Sequence, residues 1–173
     1  MIIKFIAKLI EILRSAASPN QIACGFVLGM AIGLTPFWSL HNLVIFILIV
    51  ILNVNITMAI FSFGIFSGLA YLIDPLFHNL GFFILVDLSS LRGLWTAMYN
   101  FPILALSKYN NTVVMGSLIC SILLIFPMFF LIKKAVVAYR ENIDAKMKKW
   151  KIVQAVKGSK IYSLYENIKS IGE

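Results

Sequence analysis

The chain has 173 residues, of which 61% are hydrophobic and only 13% charged, and its formal net charge is +8. A typical soluble domain has about 25% charged residues, and a small one needs many polar groups to cover its large surface. This composition excludes an ordinary soluble domain and indicates an integral membrane protein. Because no nucleic-acid-binding motif accompanies the basic residues, we expect no nucleic-acid partner.

The charges are concentrated at the two ends of the chain. No Asp, Glu, Lys or Arg occurs from Ser15 to Ile73, whereas residues 133–173 contain ten basic and four acidic residues. Lys and Arg accumulate on the cytoplasmic side of membrane segments. We therefore expect a multi-pass protein with both termini in the cytoplasm. The segment 133–173 is then a basic helical tail that lies on the anionic inner leaflet or on a partner.

The first segment, residues 1–17, is predicted to form an amphipathic helix. Lys4, Lys8, Glu11 and Ser15 share one face at the helical period, and aliphatic side chains cover the rest. Helices of this kind lie in the headgroup plane of a bilayer rather than crossing it. An ordinary packed surface helix would show the same pattern.

Two short apolar helices are predicted next, over residues 19–34 and 40–52. A capping box of Ser18 and Gln21 begins the first helix, and a Thr-Pro pair ends it. Both helices are shorter than the roughly 20 residues that a crossing requires. This length favours a re-entrant hairpin, and two thin but complete crossings are the alternative.

Two longer apolar helices are predicted to cross the bilayer fully. The first covers residues 56–73 and is closed by an Asp-Pro pair; the second covers 113–132 and is stopped by two lysines. Residues 76–111 between them are aromatic-rich and interrupted, which is typical of short helices on the periplasmic membrane surface. The predicted fold is therefore an all-α integral membrane protein whose membrane domain covers residues 18–132.

Three glycines lie on one face of the helix predicted over residues 19–34. Gly25, Gly29 and Gly33 follow one another at intervals of four residues. Faces of small residues let another helix backbone approach closely. Packing within the chain is the default interpretation, and contact with the transmembrane helix of a partner protein is the functional alternative.

Polar residues cluster at the predicted hairpin tip and after the first crossing. Polar groups at membrane depth are costly unless they are satisfied, so these side chains are candidates for a lipid-headgroup site or polar pathway. Capping of the turn is the alternative. A carboxylate and an imidazole four residues apart could bind a headgroup amine or relay a proton, or could cap a helix. The candidates are Thr35, Ser39, His41, Asn42, Asp74 and His78.

Sequence motifs for catalysis are absent. Two histidines and two isolated cysteines do not make a zinc-binding pattern. Neither a nucleophile elbow nor a phosphate-cradling glycine loop with its lysine occurs. We therefore expect a protein that is not an enzyme and that needs no metal or cofactor.

A series of short motifs extends over nearly the whole chain. They are Ser18-Pro19-x-Gln21-Ile22-Ala23, Gly33-Leu34-Thr35-Pro36, Ser39-Leu40-His41-Asn42-Leu43, Asp74-Pro75-Leu76-Phe77-His78, Leu94-Trp95-Thr96-Ala97-Met98-Tyr99-Asn100, Asn110-Asn111-Thr112 and Gly158-Ser159-Lys160-Ile161-Tyr162. Together with Gly29 they resemble an uncharacterised bacterial membrane family. The core domain of that family, of unknown function, also ends some membrane glycosyltransferases.

The resemblance implies a small inner-membrane protein of bacteria that have an outer membrane. It also implies a two-gene pair, in which the partner is a membrane-anchored periplasmic protein of the AsmA-like, bridge-forming type. Such bridges are associated with phospholipid movement between the two membranes. We therefore expect a non-enzymatic subunit that anchors the bridge and delivers phospholipid to it. A small transporter or channel, or an accessory subunit of a polyprenyl-linked glycosyltransferase, are the alternatives.

Overall fold

A computed structural model describes residues 8–13 and 15–144, and over these ranges the protein is helical without strands. The first helix, α1, is described over residues 8–13, where Lys8 and Glu11 form an exposed ion pair at 3.0 Å. The remaining helices are α2 (Pro19–Leu34), α3 (Leu40–Ile51), α4 (Ile56–Phe82), α5 (Arg92–Tyr99), α6 (Pro102–Ala105) and α7 (Thr112–Ala138). The all-α class predicted from the sequence is confirmed.

Parts of two predicted segments lie outside the described residues. These are residues 1–7 and 14 of the N-terminal amphipathic segment and the tail beyond residue 144. The chain divides after Lys134 into two compact units. The α2–α3 hairpin, α4 and the short helices that follow it all belong to the first unit.

Helix α2 begins and ends at the residues that the sequence predicts. The Ser18 hydroxyl accepts from the Gln21 backbone N–H at 3.2 Å, and the Gln21 side-chain oxygen accepts from the Ser18 N–H at 2.8 Å. This reciprocal pair satisfies two of the donors that a helix start leaves free. Most of α2 is buried, including Ile22 and Met30, which have no exposed surface. It is the central helix of the membrane domain.

The glycine face of α2 packs against α4 of the same chain. A Cβ atom added at Gly29 would lie 2.8 Å from the Cα atom of Ala59, and one at Gly33 would lie 2.9 Å from the Cβ atom of Phe66. A Cβ atom added at Gly25 would likewise overlap the Asn55 carbonyl group. Because α4 already occupies this face, it is not available to a partner's helix, and the partner-packing assignment of the three glycines is wrong.

Helices α2 and α4 run parallel, starting from the same end of the domain. The Asn55 backbone N–H donates to the Gln21 carbonyl at 3.1 Å, and the Gln21 side-chain amide donates to the Asn53 carbonyl at 3.0 Å. Further along the pair, the buried Ser62 hydroxyl donates to the Phe26 carbonyl at 2.7 Å. Helix α2 is therefore held along α4 by both close backbone approach and hydrogen bonds.

Two helix ends predicted from the sequence are wrong. Helix α4 does not close at Asp74-Pro75 but continues to Phe82 and through a π-helical turn, Phe83–Asp87. The first part of the segment predicted as interfacial, residues 76–111, therefore belongs to this helix. Helix α7 likewise continues past its two lysines to Ala138. A proline removes one helical hydrogen bond and lysines remove none, so neither feature requires the helix to stop.

Within residues 8–13 and 15–144, two helices are long and apolar enough to cross a membrane. They cover Ile56–Asp87, with 32 residues, and Thr112–Glu141, with 30 residues. Only 17% and 28% of their most apolar windows are buried in the protein, which is unlike the core helix of a soluble domain. The protein therefore associates with membranes. Helices α2 and α3, with 16 and 12 residues, fall short of the length of a typical span.

The two long helices cross in antiparallel directions where both carry a glycine. Gly81 of α4 lies against the backbone of Thr112, and Gly116 of α7 lies against the backbone of Phe77. The His78 Nδ1 atom lies 2.7 Å from the Thr112 hydroxyl at the same crossing. Small residues and a hydrogen bond thus join the end of α4 to the start of α7.

Candidate functional site

The turn between α2 and α3 is locked by one buried asparagine. Asn42 is 1% exposed, and its amide nitrogen donates to the carbonyls of Pro36 at 3.0 Å and Phe37 at 3.2 Å. Its side-chain oxygen lies 2.9 Å from the Thr35 hydroxyl, which is also 2.8 Å from the Ala31 carbonyl. The polar groups of Thr35 and Asn42 therefore satisfy one another and the turn, and their role in this structure is to shape it.

The other two polar side chains of the turn form a second pair. The Ser39 hydroxyl donates to the Pro36 carbonyl at 2.8 Å and lies 2.8 Å from the Nε2 atom of His41. Since the single hydroxyl hydrogen points to Pro36, Nε2 carries the imidazole hydrogen in this network. Partial burial lowers the pKa of His41, because desolvation disfavours its charged form.

Asp74 and His78 do not form the carboxylate–imidazole pair that their spacing suggests. The imidazole of His78 contacts Thr112 of α7 instead. Asp74 makes no hydrogen bond or ion pair with any described residue. The i, i+4 spacing puts both side chains on one helix, but His78 contacts α7 where the two helices cross and not Asp74.

A cavity of about 320 Å³ lies at the C-terminal end of α2. It is bounded by the end of α2, the turn, the middle of α4 and the start of α7. Three residues singled out in the sequence line it: Gly33, Thr35 and Asp74. The other candidates for the polar pathway, Ser39, His41, Asn42 and His78, do not line it. The full lining is Ile32, Gly33, Leu34, Thr35, Pro36, Phe37, Phe63, Ser67, Ala70, Tyr71, Asp74 and Val113.

Sequence reasoning missed two polar residues of this cavity. Ser67 and Tyr71 reach it from α4, on the same face as Asp74. The signal was present, because residues 67, 71 and 74 share a helical face at intervals of four and three. It was overlooked because α4 was expected to end before Asp74, which separated that carboxylate from the helix that positions it.

A second cavity, of about 350 Å³, also borders the turn. Trp38, Leu43 and Phe46 of the hairpin line it together with Leu106, which follows α6. Trp38 itself is 85% exposed. The turn therefore borders two cavities. The first, which contains Asp74 and is called the polar cavity below, reaches α4, and the second, which is more apolar, reaches the short-helix segment.

The described part of the chain holds no cluster of metal-binding side chains. Across residues 8–13 and 15–144, no group of three or more His, Cys, Asp or Glu residues could hold a metal ion. Cys24 and Cys120 are both free and half-buried. The chemistry that the polar cavity offers is recognition by a carboxylate, hydroxyl groups, backbone carbonyls and aromatic rings.

Comparison with known proteins places the chain in a bacterial family. Residues 4–143 match the family described as "Uncharacterized protein conserved in bacteria (DUF2062)". An uncharacterized protein of Treponema pallidum (strain Nichols) is 26% identical over 145 residues, which cover 84% of this chain and 89% of that protein. No solved structure matches. Since the match includes every helix of the membrane domain, this all-α membrane protein belongs to the DUF2062 family of bacteria.

Proposed function

We propose that this protein is a non-enzymatic inner-membrane subunit that delivers phospholipid to an AsmA-like bridge protein anchored beside it. The identity of the partner and the destination of the lipid are inferred from the resemblance of the sequence motifs to a bacterial membrane family. The observation that supports lipid handling is the cavity at the end of the α2–α3 hairpin, which combines a carboxylate with aromatic and aliphatic walls. Mixed polar and apolar linings suit a headgroup and the start of its acyl chains.

The length of the hairpin supports this assignment. Helix α2 extends about 24 Å at about 1.5 Å per residue, whereas the hydrocarbon core is about 30 Å thick. Along an upright α4, Asp74 lies about 27 Å beyond Ile56. The cavity then occupies the gap between the end of the hairpin and the far interface. A headgroup entering this gap would meet polar atoms at a depth where a full helix would offer only lipid-facing side chains.

Helix α3 supplies an apolar surface beside the gap. Its side chains are largely exposed, including Leu43 at 57%, Val50 at 76% and Ile51 at 70%. Acyl chains cover such a surface in a bilayer at no cost. The anchoring contact with the bridge protein would then use the exposed faces of the helices, since the glycine face of α2 is filled by α4.

Isolation from native membranes tests the proposal. A tagged chain, extracted with its surrounding lipid, should recover a large periplasmic protein with a single membrane anchor. Depletion of the chain should slow the arrival of newly made phospholipid at the outer membrane in a pulse-chase experiment. A homo-oligomer that lacks such a partner and conducts solute in vesicles would contradict the proposal and favour a transporter.

A further inference from the structure

The polar cavity carries a net negative charge, and no side chain among the described residues neutralises it. Among its lining residues, Asp74 has the only charged side chain. The carboxylate has no ion-pair or hydrogen-bond partner in residues 8–13 and 15–144. A carboxylate close to the far interface, where the length of α4 puts Asp74, is stabilised by a nearby cation or hydrogen-bond donor. The cavity therefore favours a positively charged occupant.

The end of α2 adds hydrogen-bond acceptors and further negative potential. Pro36 has no N–H group, so the Ile32 carbonyl lacks the backbone donor that would continue the helix, and its partner is the Thr35 hydroxyl at 3.5 Å. The carbonyls of Gly33 and Leu34 receive no backbone hydrogen bond from a described residue either. Unpaired carbonyls give the C-terminus of a helix a partial negative charge, which stabilises cations.

Aromatic rings complete the wall of the cavity. Phe37 and Phe63 lie with ring centroids 5.9 Å apart, and Tyr71 lines the same space from the next turns of α4. The faces of such rings attract cations. A phosphate group would instead meet the carboxylate and the negative helix end, both of which repel it.

We propose that this cavity binds the primary ammonium group of a phospholipid headgroup, as in phosphatidylethanolamine. The inference rests on the proposed role in lipid delivery and names the headgroup chemistry for it. A primary ammonium has three N–H donors, which match one carboxylate and the unpaired carbonyls. A quaternary ammonium has the same charge but no donor, and a glycerol headgroup has hydroxyl groups but no charge. Both should bind more weakly, with the phosphate left outside.

Lipid competition in nanodiscs tests this chemistry directly. The purified full chain is reconstituted with phosphatidylethanolamine, phosphatidylcholine and phosphatidylglycerol that have identical acyl chains, and the retained lipids are quantified by mass spectrometry. We expect about tenfold enrichment of phosphatidylethanolamine over each of the other two, equivalent to about 1.4 kcal/mol. Equal retention of the three lipids by the wild-type chain would overturn the proposal.

Variants at Asp74 identify the responsible group. Asp74→Asn should abolish the enrichment, and Asp74→Glu should retain most of it because the charge is kept. Asp87→Asn removes an acidic group outside the cavity and should change nothing. Size-exclusion profiles and melting temperatures establish that each variant is folded. Undiminished enrichment by folded Asp74→Asn would overturn the assignment.

A soluble competitor distinguishes lipid recognition from binding of a free amine. Ethanolamine at the concentration of the lipid should leave the enrichment unchanged if the headgroup is recognised together with its lipid. Displacement at that concentration would overturn the lipid assignment. The nanodisc assay contains no partner protein, so its outcome does not depend on one. If no AsmA-like partner were found in native membranes, the proposed function would be contradicted, but the enrichment of phosphatidylethanolamine would be unchanged.

Discussion

At Gly29 the backbones of α2 and α4 approach so closely that a methyl group has no room. The added Cβ atom would lie 2.8 Å from both the Cα and the carbonyl carbon of Ala59. These are backbone atoms of a neighbouring helix, so no side-chain rotation can relieve the overlap. The spacing of the glycines indicated a close contact, but only the packed structure identifies which helix makes it.

Gly29→Ala should therefore lower the free energy of unfolding by about 1–3 kcal/mol, as overpacking of a tight contact does. Gly64→Ala is the matched control, because no atom lies within 4 Å of the position of its added Cβ. Unfolding of both variants by SDS titration in mixed micelles, followed by circular dichroism, measures the difference. Equal stability of the two variants would mean that α2 and α4 do not meet at this glycine.

Thr35 and Asn42 show why the polar cluster was difficult to interpret from sequence. A functional pathway and a turn lock both require polar side chains at membrane depth. The structure distinguishes them because Asn42 is buried and bonded to three residues of the turn. Asp74, by contrast, keeps its carboxylate unpaired within the described chain. The polar residues predicted as one cluster therefore have two roles: Thr35 and Asn42 stabilise the turn, and Asp74 is the candidate binding group.

Among the elements, α4 departs most from its prediction. An Asp-Pro pair commonly marks a helix boundary in soluble proteins, yet the helix continues through Pro75. In lipid, ending a helix would leave several backbone groups unpaired, whereas one internal proline leaves fewer. The crossing at Gly81 and Gly116 also holds this part of α4 against α7. The lipid environment and the contact with α7 therefore outweigh the tendency of the Asp-Pro pair to end a helix.

The depth of the hairpin gives a prediction for a single tryptophan. Trp38 lies at the turn and is 85% exposed, and α2 brings it about 24 Å from the entry side of the membrane. In a Trp95→Phe, Trp150→Phe background, bromine atoms near the lipid headgroups should quench Trp38 more strongly than bromine atoms at the chain ends. Strongest quenching by the chain-end bromines would place the turn at the bilayer centre and contradict this depth.

For the whole molecule, the helix directions predict opposite exposure of two loops. Asn53 lies at the end where α2 and α4 begin, and Asn110 precedes α7 on the far side of α4. With Cys24 and Cys120 replaced by alanine, Asn110→Cys should react with an impermeant maleimide in intact spheroplasts. Asn53→Cys should react only after lysis. Labelling of both positions in intact cells would contradict the proposed orientation, which has both termini in the cytoplasm.

The sequence by itself determined the membrane class, the all-helical fold and the boundaries of α2. Composition and local capping decide these features, because they depend on the solvent and on residues within one turn of each other. Only the tertiary structure decided which helix covers the glycines, where α4 ends and which polar side chains line the cavity. Those outcomes depend on contacts between residues far apart in the chain, such as Gly29 with Ala59 and His78 with Thr112.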